Sequence, residues 1–392
     1  MTAFTPARST HPSTRCGALF VLRRSLGGAL LALLLGGAAL AQEAASEEPE
    51  AAGNTGPAPE TSAEGRPVFS LGPLEYRAAR GFRFGDSGLT IGGFSTLELD
   101  RLRAGPTALA IDSLNFLALY EPVDSFRVFA ELEIGGLLAW DSAEKEVDSS
   151  PHANFERLYA EYSASDALNL RFGKFQTPVG RWNLAPAEPF TWLSTQPAIL
   201  EFGLDEHQTG VALFGSFYPE KRVLSYWVYG QVLDAFDEEG DDIPAHRSVG
   251  GRIEYGDARG AWSFGGSLLA SELAGAWSTA GGVDAKWRMG ERLELSSEWL
   301  VSRGDIPDRD YWGAFVEAAY PLDQLSPKLA KLYLVGRFEH FDVVGDRPVE
   351  IIDFGLTWLP AEWLNLKAGY RVLTHRDRNL SDELKISISV LF

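Results

Sequence analysis

The chain holds a single cysteine, Cys16, in 392 residues. Cys16 lies inside an N-terminal export signal, so the mature protein is expected to have no disulfide and no thiolate chemistry. Beyond residue 41 there is no run of about 18 apolar residues, which excludes a transmembrane helix from the body of the chain. Basic residues are scarce. Lys and Arg number 35 against 54 Asp and Glu, a formal charge of −19, and so acidic a chain is a poor partner for nucleic acid. Enzyme signatures are missing as well: no P-loop, H-E-x-x-H or G-x-S-x-G pattern occurs, and His207, His246, His340 and His375 are scattered. No cofactor, no metal centre and no enzymatic activity is expected.

What the sequence has in quantity is glycine, 40 residues, and aromatics, 12%. At the N-terminus Arg15, Arg23 and Arg24 precede an apolar stretch from Leu26 to Ala38, and Ala39-Leu40-Ala41 follows as a small-residue cleavage site. Residues 1–41 therefore read as a signal peptide. Its removal takes four arginines and no acid, deepening the charge from −19 to −23. Residues 42–66, rich in Ala, Pro and Glu, cannot bury a core and read as a disordered acidic linker. Residues 67–87 have no clear pattern, with room for one short element.

From Gly88 the hydrophobic pattern takes a period of two. Phe126, Val128, Ala130, Leu132 and Ile134 alternate with Arg127, Phe129, Glu131 and Glu133; Leu364, Leu366, Ala368, Tyr370 and Val372 alternate with Asn365, Lys367, Gly369 and Arg371. A strand between lipid and a watery lumen needs one apolar and one polar face. On this basis strands are predicted near 88–100, 111–120, 124–135, 154–163, 167–175, 207–217, 222–233, 246–256, 261–271, 277–289, 291–302, 311–320, 330–341, 349–359, 363–373 and 383–392, sixteen in all. Links after even-numbered strands are short, apart from 321–329. Links after odd-numbered strands are longer, notably 136–153, 176–206 and 234–245. The fold class this predicts is an all-β, transmembrane antiparallel barrel over 88–392, with short periplasmic turns and long external loops. Tyr120, Tyr162, Tyr218, Trp262, Trp287, Tyr320, Trp358 and Trp363 fall near strand ends, where interfacial aromatic girdles sit. A soluble sandwich would instead expose an apolar face to water on every strand.

Period two also assigns side chains to the lumen. The inward bases are Arg127, Arg157, Arg171, Arg252, Lys286, Arg288, Arg337, Lys367, Arg371 and Lys385. The inward acids are Glu98, Glu131, Glu133, Glu161, Glu254, Asp284, Glu294, Glu298, Glu317, Glu339 and Asp353. The two signs nearly balance, so cross-strand wall pairs are the ordinary expectation and a dedicated anion ladder is not supported. The acidic stretch Asp237-Glu238-Glu239-Gly240-Asp241-Asp242 lacks the ordered ligand spacing of a calcium loop and reads as a solvated external loop that collects divalent cations loosely.

The longest loop, 176–206, contains Pro178, Pro186, Pro189 and Pro197, which keep it from becoming a strand or helix. Loops of this length are usually functional. It could fold into the lumen as a constriction, with Arg171, Lys174 and Arg181 as a local basic cluster, or it could cap the barrel or contact another subunit. Here Gly173-Lys174-Phe175, followed by Pro178, Gly180 and Asn183, resembles the strand end of the phosphate-selective porin O/P type, and Ile386-Ser387-Ile388-Ser389-Val390-Leu391-Phe392 resembles the terminal strand signal read by outer-membrane assembly machinery. The resemblance spans about residues 88–392. It implies a sixteen-stranded diffusion pore in the bacterial outer membrane, surrounded by its lipid, that assembles as a homotrimer.

The function expected from this reading is passive diffusion of small hydrophilic solutes or ions. The alternative is a non-conducting barrel serving as an envelope anchor or adhesin, to which the acidic linker and loops would suit. Intact-mass and N-terminal analysis of protein purified from outer membranes should find Gln42 as the first residue; a mature chain retaining Leu30–Leu35 would overturn the signal assignment.

Overall fold

The computed structural model describes residues 69–392, apart from 104, 144, 146, 202–205, 234–244, 274, 291, 305–309, 345–346 and 375–381. The signal, the linker, His375 and the acidic stretch 237–242 lie outside the described residues. Three short strands come first: β1 (Phe69–Leu71), β2 (Leu74–Arg77) and β3 (Gly81–Phe84). There follow β4 (Leu89–Leu102), β5 (Thr107–Val123), β6 (Phe126–Asp141), the two-residue β7 (Val147–Asp148), β8 (His152–Ser165) and β9 (Leu168–Gln176). After the long loop come β10 (His207–Phe217), β11 (Arg222–Gln231), β12 (Ala245–Asp257), β13 (Trp262–Leu273), β14 (Ala276–Arg288) and β15 (Glu294–Gly304). The chain ends with β16 (Tyr311–Pro321), β17 (Leu332–Val343), β18 (Val349–Ala361), β19 (Leu364–Leu373) and β20 (Glu383–Leu391).

Sixteen of these, β4–β6 and β8–β20, pair antiparallel in chain order, and β20 pairs with β4 to close the barrel. Closure matters because an unpaired strand edge in hydrocarbon leaves every second backbone polar group without a partner. The two faces separate as a period of two requires. Leu268 is 68% exposed on the outside and its neighbour Leu269 is 4% exposed on the inside. Phe172, Val228, Phe264, Val316, Phe338 and Phe354 likewise stand on the exposed outer face. In water this apolar wall would be strongly unfavourable; against acyl chains it is the ordinary surface of a membrane barrel. Tyr120, Tyr162, Tyr218, Trp287 and Trp358 are all exposed at the rim of short turns.

The last residue completes the closure. Gly93 and Phe392 exchange two backbone hydrogen bonds of 2.7 Å. The Phe392 ring is buried rather than lipid-exposed: it lies edge-on to Phe116 at 5.7 Å, over Gly93, where a Cβ would come within 2.7 Å of the ring. Phe392 lies one residue past β20, and its ring sits against outer-face Phe116 in a notch that only glycine leaves open.

Two other expectations change. The hairpin β5–β6 is longer than predicted, so the loop 136–153 contracts to 142–151. β6 continues through Gly135-Gly136 to pair Leu138 to Asp141 with Ile111 to Ala108. Gly136 takes a positive φ of 63° and absorbs the irregularity that an L side chain would resist. Residues 69–84 hold three strands where room for one short element was expected, a meander in which Tyr76 packs against Phe82 and β3 pairs with the start of β4. The rim of loops is uneven, since β13 and β14 are joined by only two residues.

Gly93→Val should overpack the Phe392 notch, costing about 1–3 kcal/mol. The expected outcome is a lower temperature for loss of the compact band in heat-modifiability gels, with Phe392→Ala lowering it through the lost ring instead. Unchanged transitions in both would show that the seam does not depend on this contact.

Candidate functional site

Between β9 and β10 the chain turns inward. The base of loop 177–206 is pinned by Thr177 N–H donating to Glu206 O at 2.8 Å and by the Asn183 amide donating to Thr177 O at 2.8 Å. Two 3-10 turns, Trp182–Leu184 and Glu188–Phe190, and one helical turn, Ala198–Glu201, carry the loop between its prolines. At Gly180 the φ is +69° and a Cβ would strike the Glu298 carboxylate, so this close approach requires glycine. Gly180 N–H then donates to Ser267 Oγ at 3.3 Å, and the Arg181 and Trp182 N–H groups both donate to Glu298 Oε1, at 2.8 and 2.5 Å.

Further along, the loop binds the far wall. Trp192 Nε1 donates to Glu294 at 3.0 Å, and Thr357 donates to Trp192 O at 2.5 Å. Asn365 donates to Pro189 O at 2.8 Å, and Lys367 pairs with Glu188 at 3.2 Å. Ser194 and Ser387 share a hydrogen bond of 2.8 Å. Val179 and Ile199 are completely buried, and Leu193 nearly so. These partners project inward from β13, β15, β18, β19 and β20, so the loop occupies the lumen rather than capping the barrel from outside.

The densest docking point is a buried charge cluster. Arg337 on β17 reaches Glu339 at 2.7 Å, Asp353 at 2.8 Å and Glu317 at 3.4 Å. Arg371 on β19 reaches Asp353 at 2.9 Å and Glu339 at 3.7 Å. The same groups hold the loop: Arg337 donates to Thr195 O, Arg371 donates to Gln196 O, each at 2.8 Å, and Glu339 accepts from Ala198 N–H at 2.7 Å. Burying such charges is unfavourable unless every one is paired and hydrogen-bonded. Here the loop backbone supplies part of that pairing, so the wall and the loop satisfy one another. A second cluster, Arg252 with Asp284 and Glu254, is joined by the loop's Arg181, which bonds Glu254 at 2.6 Å.

The opposite arc, β6 to β11, carries alternating planar groups. Arg157 pairs with Glu131 at 2.5 Å and lies over Phe129 at 4.9 Å. Phe129 stacks on Tyr159 at 5.4 Å, and Arg171 lies over Tyr159 at 4.0 Å while pairing with Glu161 at 2.8 Å. Arg127 is 3.7 Å from Glu161 and 3.6 Å from Glu121. Glu133 is half-buried in register between Asn115 and Asn154.

Arg171, Lys174 and Arg181 do not form one basic cluster. Three residues apart on a strand, Arg171 and Lys174 start on opposite faces. Lys174 stands in register with Leu158, an exposed outer-face residue, and is itself buried. Arg171 and Arg181 each have a carboxylate partner. Missed entirely were the loop's main-chain acceptors at Pro189, Thr195 and Gln196, which no side-chain pattern marks. The inward pair Phe214 and Trp227 was missed too, although its parity with Arg252, in register opposite Trp227, was available.

A closed sixteen-stranded barrel with an apolar outside, a polar inside and a long loop folded into its lumen has the architecture of a membrane-spanning β-barrel. Solved structures agree with that class. The Salmonella typhi OmpF complex with daunomycin superposes with a TM-score of 0.56 at 13% identity, over 78% of this chain and 98% of that one. An anion-selective porin from Comamonas acidovorans gives 0.52 at 13%, over 78% and 99%. The trimer form of OmpT, an outer membrane protein of Vibrio cholerae, gives 0.52 at 12%, over 78% and 99%. No protein-family model and no curated protein matches the sequence. At such identities the likeness is one of fold.

Arg337→Ala should leave Glu317 without its arginine and Glu339 and Asp353 with Arg371 alone, and cost about 3–5 kcal/mol. Urea unfolding in lipid vesicles, followed by tryptophan emission, should show the midpoint fall; a wild-type midpoint would mean that the cluster holds neither wall nor loop.

Proposed function

We propose that the barrel is a passive diffusion channel for small hydrophilic solutes or ions, and that loop 177–206 is its constriction. The observation that carries this reading is the way the loop is held. Its bonds run to inward polar and charged groups on β13, β15 and β17–β20, a placement that would narrow a lumen and that an outward-facing adhesive loop would have no use for. The polar inner wall supports the same reading, since it offers water and solutes a continuous hydrogen-bonding surface.

The channel should be weakly selective. Among the described residues many wall charges are paired, Arg157 with Glu131, Arg171 with Glu161, Arg252 with Asp284 and Arg371 with Asp353, so no ladder of one sign lines the path. That pairing argues against phosphate as a dedicated solute, despite the resemblance of the Gly173-Lys174-Phe175 segment to phosphate-selective porins. Assembly as a homotrimer and recognition of the strand ending at Phe392 by the outer-membrane assembly machinery complete the proposal.

Planar-bilayer recording of the purified protein tests it. Conductance steps with a small reversal potential in a salt gradient are expected, and deletion of 183–200 should raise the unit conductance severalfold. A folded barrel that stays silent both with and without the loop would favour the anchor or adhesin role instead.

A further inference from the structure

Where β20 ends, β3 takes over the same edge of β4. Leu391 pairs with Phe94 and Phe392 bonds to Gly93; two residues further down, Phe82 stands opposite Ile91. β5 holds the other edge along the same stretch, with Ile91 opposite Ala118 and Leu89 opposite Tyr120. The meander β1–β3 therefore prolongs the barrel wall beyond the seam, at the short-turn rim. Gly81 makes the join possible, since its φ is +77° and a Cβ there would strike the Ile91 carbonyl.

Register sorts the faces of this extension. Phe69 stands opposite Tyr76 and Tyr76 opposite Phe82; Leu71 stands opposite Leu74 and Leu74 opposite Phe84. Cross-strand partners share a face, so six apolar side chains gather on one side of three short strands. Through Phe82 that side continues to Ile91 and then, by alternation, to Gly93, where Phe392 packs against outer-face Phe116. It is thus continuous with the lipid-facing side of the barrel. Glu75, Arg77 and Arg83 take the opposite side, with Arg77 3.6 Å from Glu75. The apolar side is open: Phe69, Leu71 and Phe84 are 48%, 66% and 38% exposed. Three short strands cannot bury such a face among themselves, and water would oppose its exposure. An element apolar on one side, charged on the other and joined to a lipid-spanning wall has the make-up of an interfacial anchor, its apolar side at the headgroup–acyl boundary and its charges in water.

We propose that β1–β3 is a lipid-binding foot, which rests its apolar face in the leaflet at the short-turn rim. This needs the membrane barrel but not conduction, so it goes beyond the channel reading. Site-directed spin labelling of the full chain in phosphatidylcholine vesicles tests it, in a Cys16→Ser background so that each label sits on the only cysteine. Leu71→Cys and Phe69→Cys report on the apolar face and Ser70→Cys on the opposite one. Phe264→Cys, on the exposed outer wall, is the lipid reference, and Asp124→Cys, in an exposed turn, is the water reference. Labels at 71 and 69 are expected to match Phe264→Cys, with a ratio of oxygen to nickel-chelate accessibility severalfold above that at 70 and 124. Nickel access at 71 and 69 equal to that at 124 would overturn the foot, because the face would then stand in water. Labels at 71 and 69 shut off from both probes would overturn it too, because protein, a second copy of the chain included, would then cover the face. In either case a lipid-exposed label at 264 would leave the membrane barrel standing and confine the failure to the foot.

Discussion

Hydrocarbon offers no hydrogen bonds to a backbone, and this constraint organises the whole molecule. Every strand must find two neighbours, so the sheet has to close, and it closes where β20 meets β4. The seam is finished by the last residue of the chain, whose backbone pairs with Gly93 and whose ring fills the space that glycine leaves. Once closed, the barrel has an outside that must be apolar and an inside that need not be. Leu268 and Leu269 show how sharply the boundary is drawn, with adjacent residues of the same type on opposite sides of a wall one strand thick.

The inside then presents its own difficulty. The wall carries arginines and carboxylates that are removed from bulk water when a loop lies over them, and each needs a partner. Arg337, Arg371, Glu317, Glu339 and Asp353 answer this by pairing across β16–β19 and by binding the loop's backbone at Thr195, Gln196 and Ala198. Neither part is satisfied without the other, which gives the loop a definite seat rather than a range of positions. The prolines that keep 177–206 from joining the sheet also leave its carbonyls free to accept such bonds. On the β6–β11 arc, aromatic faces play the corresponding part, holding guanidinium groups by stacking as well as by charge.

Likeness to solved porins at 13% identity over nearly their full length follows from the same constraint. A barrel wall asks for apolar residues at alternate positions, polar residues between them and turns at regular intervals. Many sequences meet those terms, so the architecture persists while individual lumenal residues diverge.

What the sequence determined by itself was the alternation, and with it the sixteen barrel strands, the outer face and the asymmetry of short turns and longer loops. These are local properties, each written in a dozen neighbouring residues with a period of two. Even there, the strand predicted to stop at 135 was too short, because β6 runs on to Asp141 beside an equally extended β5. Parity could sort inward from outward charges, but it does not group Arg171, Lys174 and Arg181, since proximity in sequence does not survive the change of face between positions 171 and 174. Only the tertiary structure decided where the long loop goes and which charges pair. The contacts that hold it join residues such as Arg337 and Thr195, 142 positions apart, and many of them end on backbone carbonyls, which are identical in every residue and so carry no mark in a sequence.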